Sequence, residues 1–183
     1  MADLTTLQSA KDWLGITSNT DDALLSALVT SASNYIQSWL DRTFAITAYN
    51  ELRDGTGTRG IMTSEYPIAS VSMVKIDGVV IPAATAYGTP GYRVDDRRIT
   101  LQGGYCFRRD IANVELAYTA GYASVPAEIS QACIDMISVR YKERDRIGYQ
   151  SKSIAGETVS FMTKDMSDAT KTILHNYRKV LPL

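Results

Sequence analysis

Apolar positions recur at helical spacing near both ends of the chain and alternate through its middle. Near the start, Leu7, Ala10 and Leu14 share one face of a helix predicted over 5–15. A Thr5/Gln8 capping-box pattern opens it and Gly15 stops it. After a linker at 16–20, Asp21 and Asp22 open a longer helix over 21–42, where carboxylates favour the first-turn N–H groups. Leu25, Leu28, Val29, Ala32, Ile36, Trp39 and Leu40 then form one apolar stripe. A third helix is predicted over 126–146. Pro126 sits where a first-turn proline is tolerated, and Ile129, Ala132, Cys133, Met136, Ile137 and Tyr141 follow in register.

Between these helices the period changes to two. Strands are predicted at Thr43 to Arg53, Gly60 to Thr63, Ser70 to Ile76, Val79 to Ile81, Tyr92 to Val94, Arg98 to Gln102 and Asn113 to Tyr118. Asp77-Gly78 between two β-branched runs is a two-residue hairpin signal, and Asp95-Asp96-Arg97 marks a second turn. Residues 82–91, with Pro82, Gly88, Pro90 and Gly91, form a loop. Short turns between many strands predict an antiparallel sheet or a small barrel.

Past the third helix, residues 149–166 lack strong periodicity and are expected to form a mobile or extended arm. Ser167 is placed to cap a last helix with Ala169, Ile173, Leu174, Tyr177 and Val180 on one side, ended by Pro182. Its apolar side has no evident partner within the chain. The expected class is α+β: a helical bundle, made by a long N-terminal helix pair and C-terminal helices, with a central antiparallel β domain. Residues 1–148 are the expected core (β region 43–122), and 149–183 an arm with its helix.

Composition narrows the function. The 183 residues are 45% hydrophobic and 21% charged, which is globular and argues against disorder or a coiled coil. A net charge of −1 excludes tight, sequence-independent DNA binding by charge alone. No run approaches the roughly 18 apolar residues of a membrane span, so no membrane partner is expected. The opening Met1-Ala2-Asp3-Leu4-Thr5-Thr6 has no secretory pattern, and two cysteines, Cys106 and Cys133, fit a reduced intracellular protein. Charge is uneven: residues 1–42 carry −3, 43–123 are neutral and 124–183 carry +2. Such ends suit head-to-tail contacts between copies.

No constellation points to catalysis or to a cofactor. Gly55-Thr56-Gly57-Thr58-Arg59-Gly60 matches the dinucleotide fingerprint in letters, but no helix pattern follows it. A flexible hairpin tip serving as a contact arm is the better reading. His175 stands alone on the last helix, with no nucleophile elbow and too few cysteines for a metal site. Asp95 and Asp96 are adjacent on a turn and pair most simply with Arg93, Arg97 and Arg98. Arg140, Lys142, Arg144 and Arg146 fit a solvated helix end better than a phosphate site. The eleven tyrosines tilt toward assembly, since tyrosine is enriched at interfaces.

The ordered set of segments resembles a known family. Asp21-Asp22-Ala23-Leu24-Leu25-Ser26-Ala27-Leu28 with Tyr35-Ile36 and Asp41-Arg42-Thr43 is the first part. Tyr66-Pro67-Ile68-Ala69-Ser70-Val71 with Val74-Lys75-Ile76-Asp77-Gly78 is the second. Val114-Glu115-Leu116-Ala117-Tyr118-Thr119-Ala120-Gly121-Tyr122, running into Val125-Pro126-Ala127-Glu128-Ile129, is the most telling. Ala132 to Tyr141 with Arg144, and the Tyr177-Arg178 ending, complete it. Together they resemble the head–tail connector (adaptor) proteins of tailed bacteriophages across nearly the whole chain. The Gly/Thr loop at 54–60 and the insertion around 82–91 depart from that pattern.

The resemblance implies a non-enzymatic protein without cofactors, assembled in the host bacterial cytoplasm and carried in the virion neck at the capsid vertex. It implies a homo-oligomeric ring of about twelve copies. The ring would sit under the portal protein, prolong the DNA channel and meet a downstream neck or tail protein. Double-stranded DNA would pass without sequence-specific binding, which the near-neutral charge suits. A C-terminal segment commonly engages the portal in such proteins. The expected docking residues are therefore Ile173, Leu174, Tyr177, Arg178, Lys179 and Leu181, and deleting 167–183 is expected to leave the core folded. Gly55, Thr56, Gly57, Thr58 and Arg59 are expected to make the tail-side or inter-subunit contact. The alternatives are a small phage-encoded hydrolase, or another neck or tail-terminator protein.

Overall fold

The computed structural model describes residues 2–144, 151–154, 157–160 and 166–179. Among these it is an α+β protein with antiparallel sheets and four helices. The chain divides into two compact units: a helical one from 2–42 with 125–178, and a β one from 43–124 with Lys179.

The helical unit holds α1 (Leu7–Leu14), α2 (Asp22–Leu40), α3 (Ala127–Glu143) and α4 (Asp168–His175). Of the two N-terminal helices only α2 is long; α1 has eight residues. Its cap is Thr6, which accepts from Ser9 N–H at 3.1 Å, and Gln8 donates to Asp12. The expected Thr5/Gln8 box does not form because Thr5 is buried and accepts from the Ser130 hydroxyl of α3. The α2 stripe forms as predicted. Leu25, Val29, Ala32, Ile36 and Leu40 are buried, facing Ile129, Ala132, Cys133, Met136 and Ile137 of α3. Asp22 pairs with the buried Lys11 at 2.7 Å, tying α1 to the start of α2. Ser33 accepts from Leu4 N–H at 2.9 Å and anchors the N-terminal segment. Ser167 caps α4 through Thr170 N–H, as predicted.

Helix α4 has a partner inside the chain after all: it packs on α3, with Thr170 and Leu174 buried. The sequence separates 149–183 from the core, but α4 belongs to the helical unit. Within the predicted arm, β8 (Ser151–Ile154) and β9 (Glu157–Ser160) pair antiparallel; the remainder of 149–165 lies outside the described residues.

The β unit contains β1 (Thr47–Gly55), β2 (Gly60–Met62), β3 (Ile68–Ile76), β4 (Val79–Val80), β5 (Gly91–Asp95), β6 (Arg98–Gln102) and β7 (Asp110–Ala120). One sheet runs β1-β7-β3-β4 and the other β2-β6-β5. Along β7 the pleat sends Val114, Leu116, Tyr118 and Ala120 into the core, with Glu115, Ala117 and Thr119 on the opposite face. They join Ile61, Val74, Ile76, Ile99, Leu101 and Phe107. Asp77 (φ 51) and Gly78 (φ 79) are both left-handed, which is what a type I′ hairpin between Ile76 and Val79 requires. The second predicted turn also forms, with Asp95 paired to Arg98.

Candidate interaction surfaces

The two predicted contact regions fare differently. Loop 54–60 is not a hairpin tip: β1 pairs with β7 and β2 with β6, so the loop crosses from one sheet to the other. Nor is it slack. Gly57 N–H donates to Phe107 C=O at 2.7 Å, and Phe107 N–H donates to Thr58 C=O at 2.9 Å. Thr56 and Thr58 share a hydroxyl hydrogen bond at 2.8 Å, while Arg59 C=O accepts from Leu101 N–H at 2.7 Å. Gly55 is buried, and a Cβ there would fall 1.7 Å from Arg108 O, so no other residue fits without moving backbone. Thr56, Gly57, Thr58 and Arg59 are exposed.

Asn113 is the hub of this end of the unit, and nothing in its sequence position announces it. Its Oδ1 accepts from Gly55 N–H at 2.9 Å, and its Nδ2 donates to Asp77 and to Arg108 C=O, both at 3.0 Å. Asp54 accepts from Ala112 N–H at 2.7 Å. Three separate segments are thus bound into one tip: the β1–β2 crossover, the β3–β4 turn and residues 107–113. The tip displays Ile111, 82% exposed, two positions after Arg109 and three after Arg108.

The predicted portal-docking set is split by the fold. Ile173 is 41% exposed and Arg178 is exposed. Leu174 is 0% exposed, so its side chain serves the α3–α4 contact and is not offered outward. Tyr177 is half-buried; its hydroxyl donates to Glu128 at 2.9 Å, and its C=O accepts from Arg42 at 3.0 Å. Lys179 pairs with the buried Glu65 at 2.9 Å. Leu181 lies outside the described residues. Because Thr170 and Leu174 fill the helical core, removing 167–183 would damage the fold, contrary to the expectation above.

A buried polar network accompanies the Lys179–Glu65 pair. The Tyr118 hydroxyl donates to Glu51 and accepts from Glu65 N–H at 3.2 Å. Glu51 also accepts from Ser64 N–H (3.1 Å) and pairs with Arg53 (3.2 Å). Burial, and then the hydrogen bond to Glu51, push the Tyr118 phenol well above its ordinary value. Tyr49 stacks on Tyr118 with ring centres 5.7 Å apart, and burial followed by the Glu65 charge raises it too. In the helical unit, burial pushes the Cys133 thiol up to about 11. These groups are held in neutral, satisfied states, which is structural chemistry.

The remaining sequence candidates keep modest roles. Gly55 to Gly60 leads into strand β2 where a dinucleotide site needs a helix. His175 is exposed on α4, and Asp96 sits on the β5–β6 turn, where Arg97 lies 3.8 Å from the centre of the Tyr66 ring. Arg140 donates to Ser31 and Arg144 covers Tyr141; Arg146 lies outside the described residues. Among the described residues no helix is long and apolar enough to cross a membrane.

Residues 3–180 match the family model described as head completion protein, and the chain belongs to the head completion protein family. No curated protein matches it. Among solved structures, it is similar to a chain in the neck of an empty GTA particle computed with C6 symmetry, at 21% identity. That match covers 98% of this chain and 92% of that one, with a TM-score of 0.57. A chain from the virion of a native gene transfer agent particle is 18% identical over 100% of this chain and 96% of that one, with a TM-score of 0.52. These two likenesses concern the fold.

Proposed function

We propose that this chain is a structural head–tail connector of a phage-like particle, located in the virion neck and acting through its surfaces, without an enzymatic step. The family match across 3–180 carries the reading, and the full-length likeness of fold to neck and virion chains supports it. Copies would close a ring below the portal protein, extend the DNA channel and present a face to a downstream neck or tail protein. A ring uses heterologous contacts, so each copy must offer two different, complementary surfaces. Near-zero net charge suits a conduit that lets DNA slide without strong counterion release.

Portal docking is assigned to the end of the helical unit, at Ile173, Tyr177 and Arg178. Electron microscopy of the full chain mixed with the purified portal protein of its particle tests the function directly. A ring stacked on the portal is expected; a mixture that yields only bare portals overturns the reading. Arg178→Glu should weaken portal binding while leaving the circular-dichroism spectrum intact, and unchanged binding would remove Arg178 from the docking set.

A further inference from the structure

Two surface features match one another. The first is the tip of the β unit. Exposed large apolar side chains are ordinary when scattered, but Ile111 at 82% sits on backbone fixed by the Asn113 hub and next to Arg108 and Arg109. Arg59 and Arg109 have no carboxylate partner among the described residues, and Arg108 reaches only Asp77, at 3.7 Å, with its side chain 77% exposed. The tip carries an exposed apolar side chain with two arginines two and three positions before it, the make-up of an interface anchor.

The second is a groove within the helical unit, between α3 and α4. It consists of two contiguous depressions of about 290 and 360 Å³ that share Ala132, Asp135 and Thr170. Met136 and Val139 line one end, and Glu128 and Gln131 the other. The lining is mostly apolar and includes the Asp135 and Glu128 side chains. Asp135 accepts from Gln131 at 2.8 Å and Glu128 from Tyr177, but neither has a cationic partner among the described residues. An apolar trough with two carboxylates lacking cations calls for an apolar group flanked by arginines.

We propose that the β-unit tip of one copy, led by Ile111 with Arg108 and Arg109, docks in the α3–α4 groove of the next copy against Glu128 and Asp135. The occupant is a second copy of this chain because complementary shapes and charges both occur here: Arg109 at the tip, and Asp135 and Glu128 at the groove, have no oppositely charged partner among the described residues. Knob and groove are different surfaces, so the contact is heterologous and propagates around a ring. Opposite charge at the rim sets register and speeds encounter, while the buried Ile111 supplies the apolar centre. This inference rests on the connector reading and names its inter-copy contact.

The test uses the full chain with Cys106→Ser, Ile111→Cys and Gln131→Cys, mixed with the purified portal protein under mild oxidation. A ladder of disulfide-linked multimers on a non-reducing gel is expected, with either single cysteine alone giving no ladder beyond dimer. In parallel, Arg109→Glu should cut ring formation at least tenfold, and Asp135→Arg in the same chain should restore it. Rings on the portal without a ladder or charge-swap rescue would overturn this contact and leave the connector reading standing. If the wild-type chain forms no ring, the connector reading falls and this contact with it.

Discussion

The helical unit and the β unit solve the same packing problem with different materials. The helical unit is assembled from segments about a hundred residues apart in sequence. α2 meets α3 through a mostly apolar seam of Val29, Ala32 and Ile36 against Ile129, Cys133 and Ile137, with the buried Ser33 hydroxyl 3.6 Å from the Cys133 thiol. The β unit is a near-continuous stretch whose core is also apolar on one side, but it admits Glu51, Glu65 and Tyr118 as a hydrogen-bonded set beside that core. The contrast teaches where each unit gets its definition. An apolar helical seam is forgiving in detail and costly to hollow out; a buried polar network contributes less but fixes geometry. A surface that must present one shape, such as the tip around Asn113, belongs on the second kind of scaffold.

The sharpest way to break this comparison is to hollow out each core in turn. Ile36 is completely buried in α2, and Ile36→Ala removes three carbons from a seam that cannot fully collapse, costing about 2–5 kcal/mol. Leu116→Ala should cost a similar amount, about 2–5 kcal/mol, in the β unit. Both tryptophans, Trp13 and Trp39, lie in the helical unit, so their emission during urea unfolding reports that unit. Ile36→Ala should lower the emission midpoint, whereas Leu116→Ala should leave it in place and shift only the circular-dichroism transition. Equal shifts in both signals for both variants would show one cooperative body and erase the distinction.

A smaller effect is expected from the polar network. Tyr118→Phe keeps the ring and its stack on Tyr49 but leaves Glu65 N–H and Glu51 each one partner short, a loss of about 1–3 kcal/mol. Alkaline pH probes the same bond. The Tyr118 phenol is raised in the folded state, so the fold keeps its proton when the unfolded chain has lost it. Its contribution is complete below the ordinary tyrosine value of about 10 and is lost as pH climbs from there toward the folded value. Wild-type stability should therefore fall more steeply above that point than that of Tyr118→Phe, as read by urea midpoints across the pH series. Parallel curves would mean that the hydroxyl is not protected by the fold.

Legibility in the sequence followed the range of the interaction. The α2 stripe, the Ser167 cap and the Asp77-Gly78 turn are written in neighbours a few positions apart, and each formed where the pattern put it. The Thr5/Gln8 box had the right local letters but lost to a tertiary partner, Ser130, that is 125 positions away. The same range effect hid α4's partner: an apolar side on a short helix looks like a docking face until α3 is known to cover Leu174. For the candidate surfaces, loop 54–60 was visible as a Gly/Thr run, but its role as one strand of a three-segment tip was not. That role depends on Asn113, which lies 58 positions from Gly55. The groove facing Asp135 arises only when α4 comes alongside α3, so no spacing could announce it.

The finest discrimination between the units comes from two aspartates in the same backbone state. Asp41 ends α2 at φ 52, and Asp77 begins the β3–β4 turn at φ 51. Left-handed backbone costs an L-residue about 1–2 kcal/mol, less for aspartate, and glycine escapes it at the expense of unfolded-state entropy. At Asp41 the backbone N–H bonds back to Gln37 and Ser38 supply the cap and survive substitution, so Asp41→Gly should change stability by about half a kcal/mol or less. At Asp77 the carboxylate accepts from Asn113 at 3.0 Å and faces Arg108 at 3.7 Å. Asp77→Gly relieves the same strain but strips a partner from the hub, for a net loss of about 0.5–1.5 kcal/mol. It should also loosen the tip, read as faster amide exchange at Gly55 and Ala112. If the two substitutions behaved alike in stability and exchange, the turn aspartate would be no more than a backbone device, and the tip would owe its shape to the chain path alone.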